Sequence, residues 1–411
     1  MFSASSLIVT ITLALAVAAN PLAIREPLVT LPLAKRVNVT GTATLLQRDQ
    51  ARAQSLKRLG EASAGGVVSN AAIGVPATNQ LVDYVVNVGV GTPATTYSLL
   101  VDTGSSNTWL GAGRSYVKTP SSVQTKDSVS VSYGSGEFSG KEYTDTVTLG
   151  SGLVIKGQSI GVASRADGFD GVDGILGIGP VDLTTGTLSP DTRTSIPTVT
   201  DNLFSAGTIT QNLIAVSFEP TTSESSTNGE LTFGGTDSSK FTGSISYAPI
   251  TRTSPASAYW GIDQSVRYGS NTNILSSTAG IVDTGTTLTL LASDAIKRYQ
   301  SATGAVLDNS TGLLRLTTAQ FQKLQSLFFT INGQTFELTA NAQIWPRNLN
   351  TAIGGNANSV YLIVGDIGSP SGEGLDFING LTFLERFYSV FDTGNRRLGL
   401  AQTSFTQATT N

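Results

Sequence analysis

The sequence predicts an all-β protein of two packed lobes. Three observations point there: few charges with abundant glycine, short strand-like runs bounded by turn residues, and one strand-turn signature that occurs twice. At 411 residues the chain exceeds one ordinary core, so at least two domains are expected once any targeting segment is removed. Charged residues make up 13%, about half the usual share, and there are 44 glycines. Runs such as 129–133, 143–149 and 244–250 are short, rich in strand-forming residues, and flanked by Gly, Ser or Pro.

Composition also excludes chemistry. There is no cysteine, which removes disulfide frameworks, thiolate metal sites and thiol nucleophiles. Histidine is absent too, which removes the Ser-His-Asp triad, the HExxH zinc site and any imidazole base. Hydrolytic chemistry must then come from carboxylates, Lys, Ser, Thr or Tyr. Phosphate loops and basic aromatic patches are missing, so no cofactor, metal, nucleotide or nucleic acid is expected.

The chain opens with a mostly apolar run over residues 7–19, too short to span a bilayer and ending in Ala16, Val17, Ala18 and Ala19, which suit a signal peptidase. Residues 1–19 are therefore read as a secretion signal, although no Lys or Arg precedes the run; a buried amino-terminal strand is the alternative. No other stretch is long enough to cross a membrane. An extracellular, monomeric product is expected.

Residues 20–70 carry Arg25, Lys35, Arg36, Arg48, Arg52, Lys57 and Arg58 against Glu26, Asp49 and Glu61, a net charge of +4. Positions 71–411 keep 18 basic and 26 acidic residues, net −8. A basic leader before an acidic body suggests a pro-segment held partly by Coulomb attraction, the bland alternative being a solvated linker. Residues 60–79 are rich in Gly, Ser, Ala and Asn, which suits a cleavage zone with the new terminus near Ala71. With so few cations the body resists charge repulsion in acid, a composition that permits work at low pH.

The internal repeat is the central signal. Leu99-Leu100-Val101-Asp102-Thr103-Gly104-Ser105 returns as Gly280-Ile281-Val282-Asp283-Thr284-Gly285-Thr286, 181 residues later. In each copy an aliphatic strand delivers an Asp-Thr-Gly turn. Gly104 and Gly285 let the backbone approach a neighbouring carboxylate, Thr103 and Thr284 offer hydroxyls to the opposite loop, and Ser105 and Thr286 can donate to an outer carboxylate oxygen. Two such loops face to face would set Asp102 beside Asp283. Carboxylates about 3 Å apart at an effective dielectric of about 20 repel by roughly 5 kcal/mol, so they would share one proton. The ionised member can then activate a water while the protonated member polarises a carbonyl.

One Asp-Thr-Gly alone is ordinary turn chemistry. A third copy, Asp392-Thr393-Gly394, is followed by Asn395-Arg396-Arg397, whose cations do not suit a shared-proton site; it is expected to be a hairpin turn between 387–391 and 398–401. Val129 and Val131 alternate with Ser130 and Ser132 before Gly134-Ser135-Gly136 reverses the chain, which predicts a hairpin with a Gly-rich tip.

These motifs resemble the pepsin-like aspartic proteases, in particular the secreted basidiomycete enzymes of the polyporopepsin type, and the match covers nearly the whole chain. It includes both Asp-Thr-Gly loops, Asn107-Thr108-Trp109, the flap Val131-Ser132-Tyr133-Gly134-Ser135-Gly136 and Asp173-Gly174-Ile175-Leu176-Gly177. It extends through Phe383-Leu384, Tyr388-Ser389-Val390-Phe391-Asp392 and Leu398-Gly399-Leu400-Ala401. The shared-proton logic above is that of aspartic proteases and is borrowed from them.

The resemblance implies a bilobal fold with lobes at 71–242 and 243–411, a central cleft, and an aspartic endopeptidase made as a zymogen. It implies Asp102 and Asp283 as catalytic, with Trp109, Tyr133, Gly134, Ser135 and Thr287 contacting protein or peptide substrates, and Tyr133 bonding toward Trp109. Some fungal relatives carry Asp at the Ser135 position and accept Lys beside the scissile bond; Ser135 implies a preference for large apolar residues instead. Lys35, Lys57 or a neighbouring Arg is expected to occupy the dyad in the proform.

Departures are the absence of disulfides, a short stretch from Asp102 to Tyr133, and Ile378-Asn379-Gly380-Leu381 where the family has Ile-Leu-Gly-Asp, which removes a carboxylate and alters the expected pH profile. Two other classes stay in view: a carboxylate-pair glycosidase, which would not need duplicated loops or a flap, and an inactive binding protein of the same fold. Asn38-Val39-Thr40 and Asn309-Ser310-Thr311 are glycosylation sequons, of which only the second would survive maturation.

Overall fold

A computed structural model describes residues 28–39, 43–65, 80–150 and 152–411. The expected signal segment, the maturation point near Ala71 and Thr40 of the first sequon lie outside the described residues.

The observed architecture is dominated by strands, in agreement with the predicted class: the described residues form sheets of fourteen, seven and three strands. The first elements are β1 (Val29–Val39), α1 (Leu45–Gly65), β2 (Gln80–Val90), β3 (Thr95–Asp102) and β4 (Thr108–Leu110). They are followed by β5 (Val123–Ser132), β6 (Glu137–Leu149), β7 (Leu153–Asp167) and β8 (Gly174–Gly177). The large sheet runs from the edge strand Leu188–Ser189 through β5, β6, β7, β4, β8, β3 and β2 to β1. It continues through Ser225–Phe233, Leu213–Ser217, Phe387–Asp392 and Arg397–Gln402 to Thr242–Pro249.

The repeat seen in sequence is a repeat of topology. Leu99, Leu100, Val101 and Asp102 are all buried because β3 has strands on both sides, pairing parallel with β8 so that Asp102 lies opposite Gly177. In the other half, Thr272–Val282 pairs parallel with Phe377–Asn379, placing Val282 opposite Asn379. β4 runs antiparallel to β8 and parallel to β7, and Thr289–Leu291 runs antiparallel to Phe377–Asn379 and parallel to Val364–Asp366. Each Asp-Thr-Gly turn thus emerges from the middle of a three-strand arrangement.

Close backbone contact makes glycine necessary beneath each turn. A Cβ on Gly177 would stand 2.5 Å from the carbonyl carbon of Ser106, and one on Gly380 would collide with the carbonyl oxygens of Thr286 and Leu288.

The basic leader contributes two elements the composition did not foresee. β1 is built into the large sheet, paired antiparallel with β2 on one side and Ser225–Phe233 on the other. Attachment therefore includes two backbone ladders as well as charge. α1 starts with a reciprocal cap, the Thr44 N–H donating to Gln47 Oε1 (2.9 Å) and the Gln47 N–H to Thr44 Oγ1 (3.3 Å). Leu45, Asp49, Arg52, Leu56 and Gly60 recur at helical spacing and are all buried.

Replacement of Gly380 by Ala is expected to lower the apparent Tm by a few degrees, from overpacking of about 1–3 kcal/mol. A thermal melt coincident with that of the parent would contradict this account of the support beneath the second turn.

Candidate active site

The two Asp-Thr-Gly turns meet. The Thr103 N–H donates to Thr284 Oγ1 (3.0 Å) and the Thr284 N–H to Thr103 Oγ1 (2.9 Å). Each hydroxyl then donates backward across the interface, Thr284 Oγ1 to the Val101 carbonyl (2.9 Å) and Thr103 Oγ1 to the Val282 carbonyl (3.4 Å). All the polar groups of the crossing are buried and paired, which locks one loop against the other.

The carboxylates are held in matching fashion. Asp102 Oδ1 accepts from the Gly104 N–H (2.9 Å) and Oδ2 from Ser105 Oγ (2.5 Å). Asp283 Oδ1 accepts from the Gly285 N–H (3.0 Å) and Oδ2 from Thr286 Oγ1 (2.6 Å). A Cβ on Gly104 would lie 2.6 Å from Asp283 Oδ1, and one on Gly285 the same distance from Asp102 Oδ1. Both carboxyls are wholly buried.

The space between them holds Arg52 of α1. Its Nη2 donates to Asp102 Oδ1 (2.6 Å) and to Asp283 Oδ1 (3.1 Å), and its Nε to Asp283 Oδ2 (2.7 Å). The cation expected at the dyad is therefore an arginine. Lys35 pairs instead with Glu385, and Lys57 with Glu373. Arg48 Nη2 reaches Asp83 Oδ2 at 3.1 Å.

Burial pushes the Asp102 carboxyl up, with Arg52 opposing and the Asp283 charge adding to the rise. Burial also works to raise Asp283, but the charge and hydrogen bonds of Arg52, with Thr286 and Gly285, outweigh it and hold Asp283 below the ordinary carboxyl range. Asp283 is thus the readily ionised member beside Arg52.

Asp49, one helical turn before Arg52, escaped the sequence reading. Its Oδ2 accepts from the Leu288 N–H (2.7 Å), and the Thr287 amide also bonds the carboxyl, so Thr287 faces α1. Burial raises Asp49 to about 6 despite the nearby Arg48 charge. Ionised Asp49 consequently costs docking free energy above that pH, and the cost is relieved as pH falls. The Thr44-x-x-Gln47 cap and the Gly- and Pro-free run after it were the available signals for this helix.

The flap is the predicted hairpin of β5 and β6, closed by the Tyr133 N–H donating to the Gly136 carbonyl (2.7 Å). Trp109 Nε1 donates to Tyr133 Oη at 2.8 Å, and Phe138 stacks on Trp109 with ring centroids 4.2 Å apart. Burial and then the Asp102 charge drive the Tyr133 phenol well above its ordinary value, which keeps it neutral. Gly134 has φ +79° and packs so closely on Ala51 that a Cβ would collide with the Ala51 carbonyl oxygen. Ser135 is half-buried at the flap tip. α1 thus lies beneath the flap, with Tyr259 Oη donating to the Leu56 carbonyl (2.8 Å). Beyond Gly60 and Ser63 the groove opens into a cavity of about 940 Å³ lined by Asp182, Arg193, Tyr259 and Trp260.

The third Asp-Thr-Gly is the expected hairpin turn: Arg397 Nε donates to Asp392 Oδ2 (2.7 Å) and Asn395 Nδ2 to the same oxygen (2.9 Å), between strands Phe387–Asp392 and Arg397–Gln402. Below the second turn, Asn379 and Gln264 are fully buried and bond each other in both directions (3.2 and 2.8 Å), while the Asn379 carbonyl accepts from the Asp283 N–H (3.2 Å). Leu381, at the position of the missing carboxylate, is buried and donates its N–H to the Thr286 carbonyl (2.8 Å).

Comparison with known proteins matches this geometry. Residues 83–403 fit the family model described as eukaryotic aspartyl protease. The chain is 82% identical over 341 residues to polyporopepsin of Irpex lacteus, covering 83% of this chain and all of that protein. It is 33% identical to rhizopuspepsin of Rhizopus chinensis, over 95% of this chain and 96% of that one. The crystal structure of the aspartic proteinase from Irpex lacteus superposes with a TM-score of 0.81 at 71% identity, covering 93% of this chain and 100% of that one. Two self-similar loops that bring Asp102 and Asp283 to one guanidinium, under a Tyr133 flap and within a matched span of this extent, place the chain in the eukaryotic aspartyl protease family as an aspartic endopeptidase.

Proposed function

We propose that this protein is a secreted zymogen whose mature body, from near Ala71, cleaves protein or peptide chains between large apolar residues in a cleft between lobes 71–242 and 243–411. Asp102 and Asp283 are the catalytic pair. The single observation that carries this is the matched set of donors around the two carboxylates, a backbone amide on the inner oxygen and a hydroxyl on the outer one in both loops. With Arg52 withdrawn, two buried carboxyls close enough to be bridged by one guanidinium share one proton. The ionised one takes a proton from a water as its oxygen attacks the scissile carbonyl, and the other donates its proton to the carbonyl oxygen. A gem-diol forms with no covalent enzyme intermediate; its collapse expels the amine as the proton passes to nitrogen.

Secretion is supported by the apolar leader with small residues at its end. A monomer is the simplest form for a site completed by one chain. An inactive binding role would be favoured by loss of an Asp, a loop hydroxyl or Tyr133, and every one of these is present.

Arg52 supplies the zymogen lock. Docked, it holds Asp283 as a carboxylate and opposes the rise of Asp102; released, the pair binds a proton more readily. Docking through this clamp is thus strongest above the range where the free pair protonates, and weakens as pH falls through it. Asp49, raised to about 6, works in the opposite sense, so release depends on the dyad overcoming it.

Peptide hydrolysis by Asp102→Asn and Asp283→Asn should fall by about 10²–10⁴-fold, while Asp392→Asn, in the hairpin, keeps parental turnover. Equal activity in all three would end the assignment. Mass spectrometry of purified precursor stepped down in pH should show an intact chain near neutrality and trimming in acid, with Arg52→Gln trimming at higher pH. A precursor cut only by an added protease rules out self-activation, and an Arg52→Gln profile superimposed on the parent's rules out the clamp. In a peptide library, Ser135→Asp should raise cleavage after Lys relative to apolar residues; an unaltered profile would sink this view of the flap tip.

A further inference from the structure

In the carboxyl-terminal half, beside the start of α1 where Gly312 packs against Thr44 and Leu46, residues 306–312 carry a feature the proposed chemistry does not use. Val306–Leu307 is the edge strand of the three-stranded sheet, paired only with Leu314–Leu316. Both of its residues are aliphatic and 54% exposed. An unpaired edge bearing two neighbouring aliphatic side chains is a template for association with another chain. The turn that follows holds Asn309-Ser310-Thr311, an acceptor sequence for N-linked sugar.

The turn does not need Asn309. Asp308 Oδ1 accepts from the N–H groups of Ser310 (3.0 Å) and Thr311 (3.2 Å), and Thr311 Oγ1 accepts from the Leu313 N–H (3.2 Å). The Gly312 N–H donates to the Asp308 carbonyl (2.8 Å) and Gly312, at φ +73°, closes the loop. The Asn309 side chain is exposed and enters none of these bonds. Its amide nitrogen therefore faces solvent two residues from the exposed edge.

We propose that Asn309 carries an N-linked glycan and that this glycan screens the Val306–Leu307 edge. Attachment joins Nδ2 to the anomeric carbon of an oligosaccharide, breaks that carbon's bond to the diphosphate of a polyprenyl diphosphate donor, and releases one amide proton. Since such donors belong to the secretory route, the inference rests on the proposed secretion. A bulky, hydrated chain beside an edge strand blocks approach of a second strand without altering any bond of the fold.

The test expresses the full chain in a secreting fungal host, once with its own leader and once with a heterologous one, and maps peptides before and after endoglycosidase. The peptide containing Asn309 should carry sugar and be distinguishable from the one containing Asn38. Asn309→Gln should lose the modification and keep peptide turnover, with a higher weight-average mass in light scattering at high concentration. Thr311→Ser, which keeps both the acceptor sequence and the hydroxyl, should resemble the parent. Secreted protein with bare Asn309 overturns the proposal, and modified protein whose Asn309→Gln variant associates no more than the parent overturns the screening role. Retention with the native leader, alongside glycosylated export with the heterologous one, would refute the secretion reading while upholding this one.

Discussion

Two threonine side chains determine where the carboxyls stand. Thr103 and Thr284 each accept an amide from the opposing loop and donate to a carbonyl behind it, so four buried hydrogen bonds form only when the loops are in this one register. Slippage would leave donors or acceptors unpaired in the interior, at about 1–3 kcal/mol for each. The dyad follows from that register. Once the loops are crossed, the glycines that follow the threonines bring backbone close to both carboxyls, and the strands beneath, β8 and Phe377–Asn379, support the turns from matching positions.

The same burial makes the empty dyad electrostatically costly and gives the leader its hold. Arg52 answers two buried negative groups with one planar cation, and its fork geometry suits them better than a lysine's point charge would. Its neighbours spread the attachment: Lys35 with Glu385, Arg48 with Asp83 and Lys57 with Glu373, together with Arg52 on Asp102 and Asp283, tie the leader to five acidic residues of the body. β1 adds backbone pairing on both edges. Removing the leader therefore means opening a sheet as well as breaking ion pairs, and only the ion pairs respond directly to acid. Asp49 tempers that response because it gains a proton more readily in the docked state.

Much of this was legible in residues. The 181-residue repeat located both carboxyls, the hydroxyls beside them and the glycines that let the loops touch, because each of those roles needs a particular side chain. The alternation before Gly134 located the flap, and the cations after Asp392 marked the third turn as a hairpin. The helix α1 was not legible in the same way. Its composition suggested only charge, and the Thr44-x-x-Gln47 cap indicates a helix start without saying where that helix packs. Choosing Arg52 over Lys57 required knowing which face of α1 turns toward the cleft, and choosing it over Lys35 required knowing that β1 is paired into the sheet; charge counts carry neither.

By itself, then, the sequence determined the chemistry available to the protein: carboxylates without histidine, cysteine or a metal-binding pattern, presented twice on strand-turn units. Those are properties of residue type and spacing, which survive without coordinates. Tertiary structure decided the partners, seating Arg52 between Asp102 and Asp283, Asp49 against Leu288, and β1 between β2 and Ser225–Phe233. Contacts of that kind join residues up to hundreds of positions apart. Which cation meets which anion depends on how burial and backbone pairing close the chain, and a linear pattern does not encode that distance.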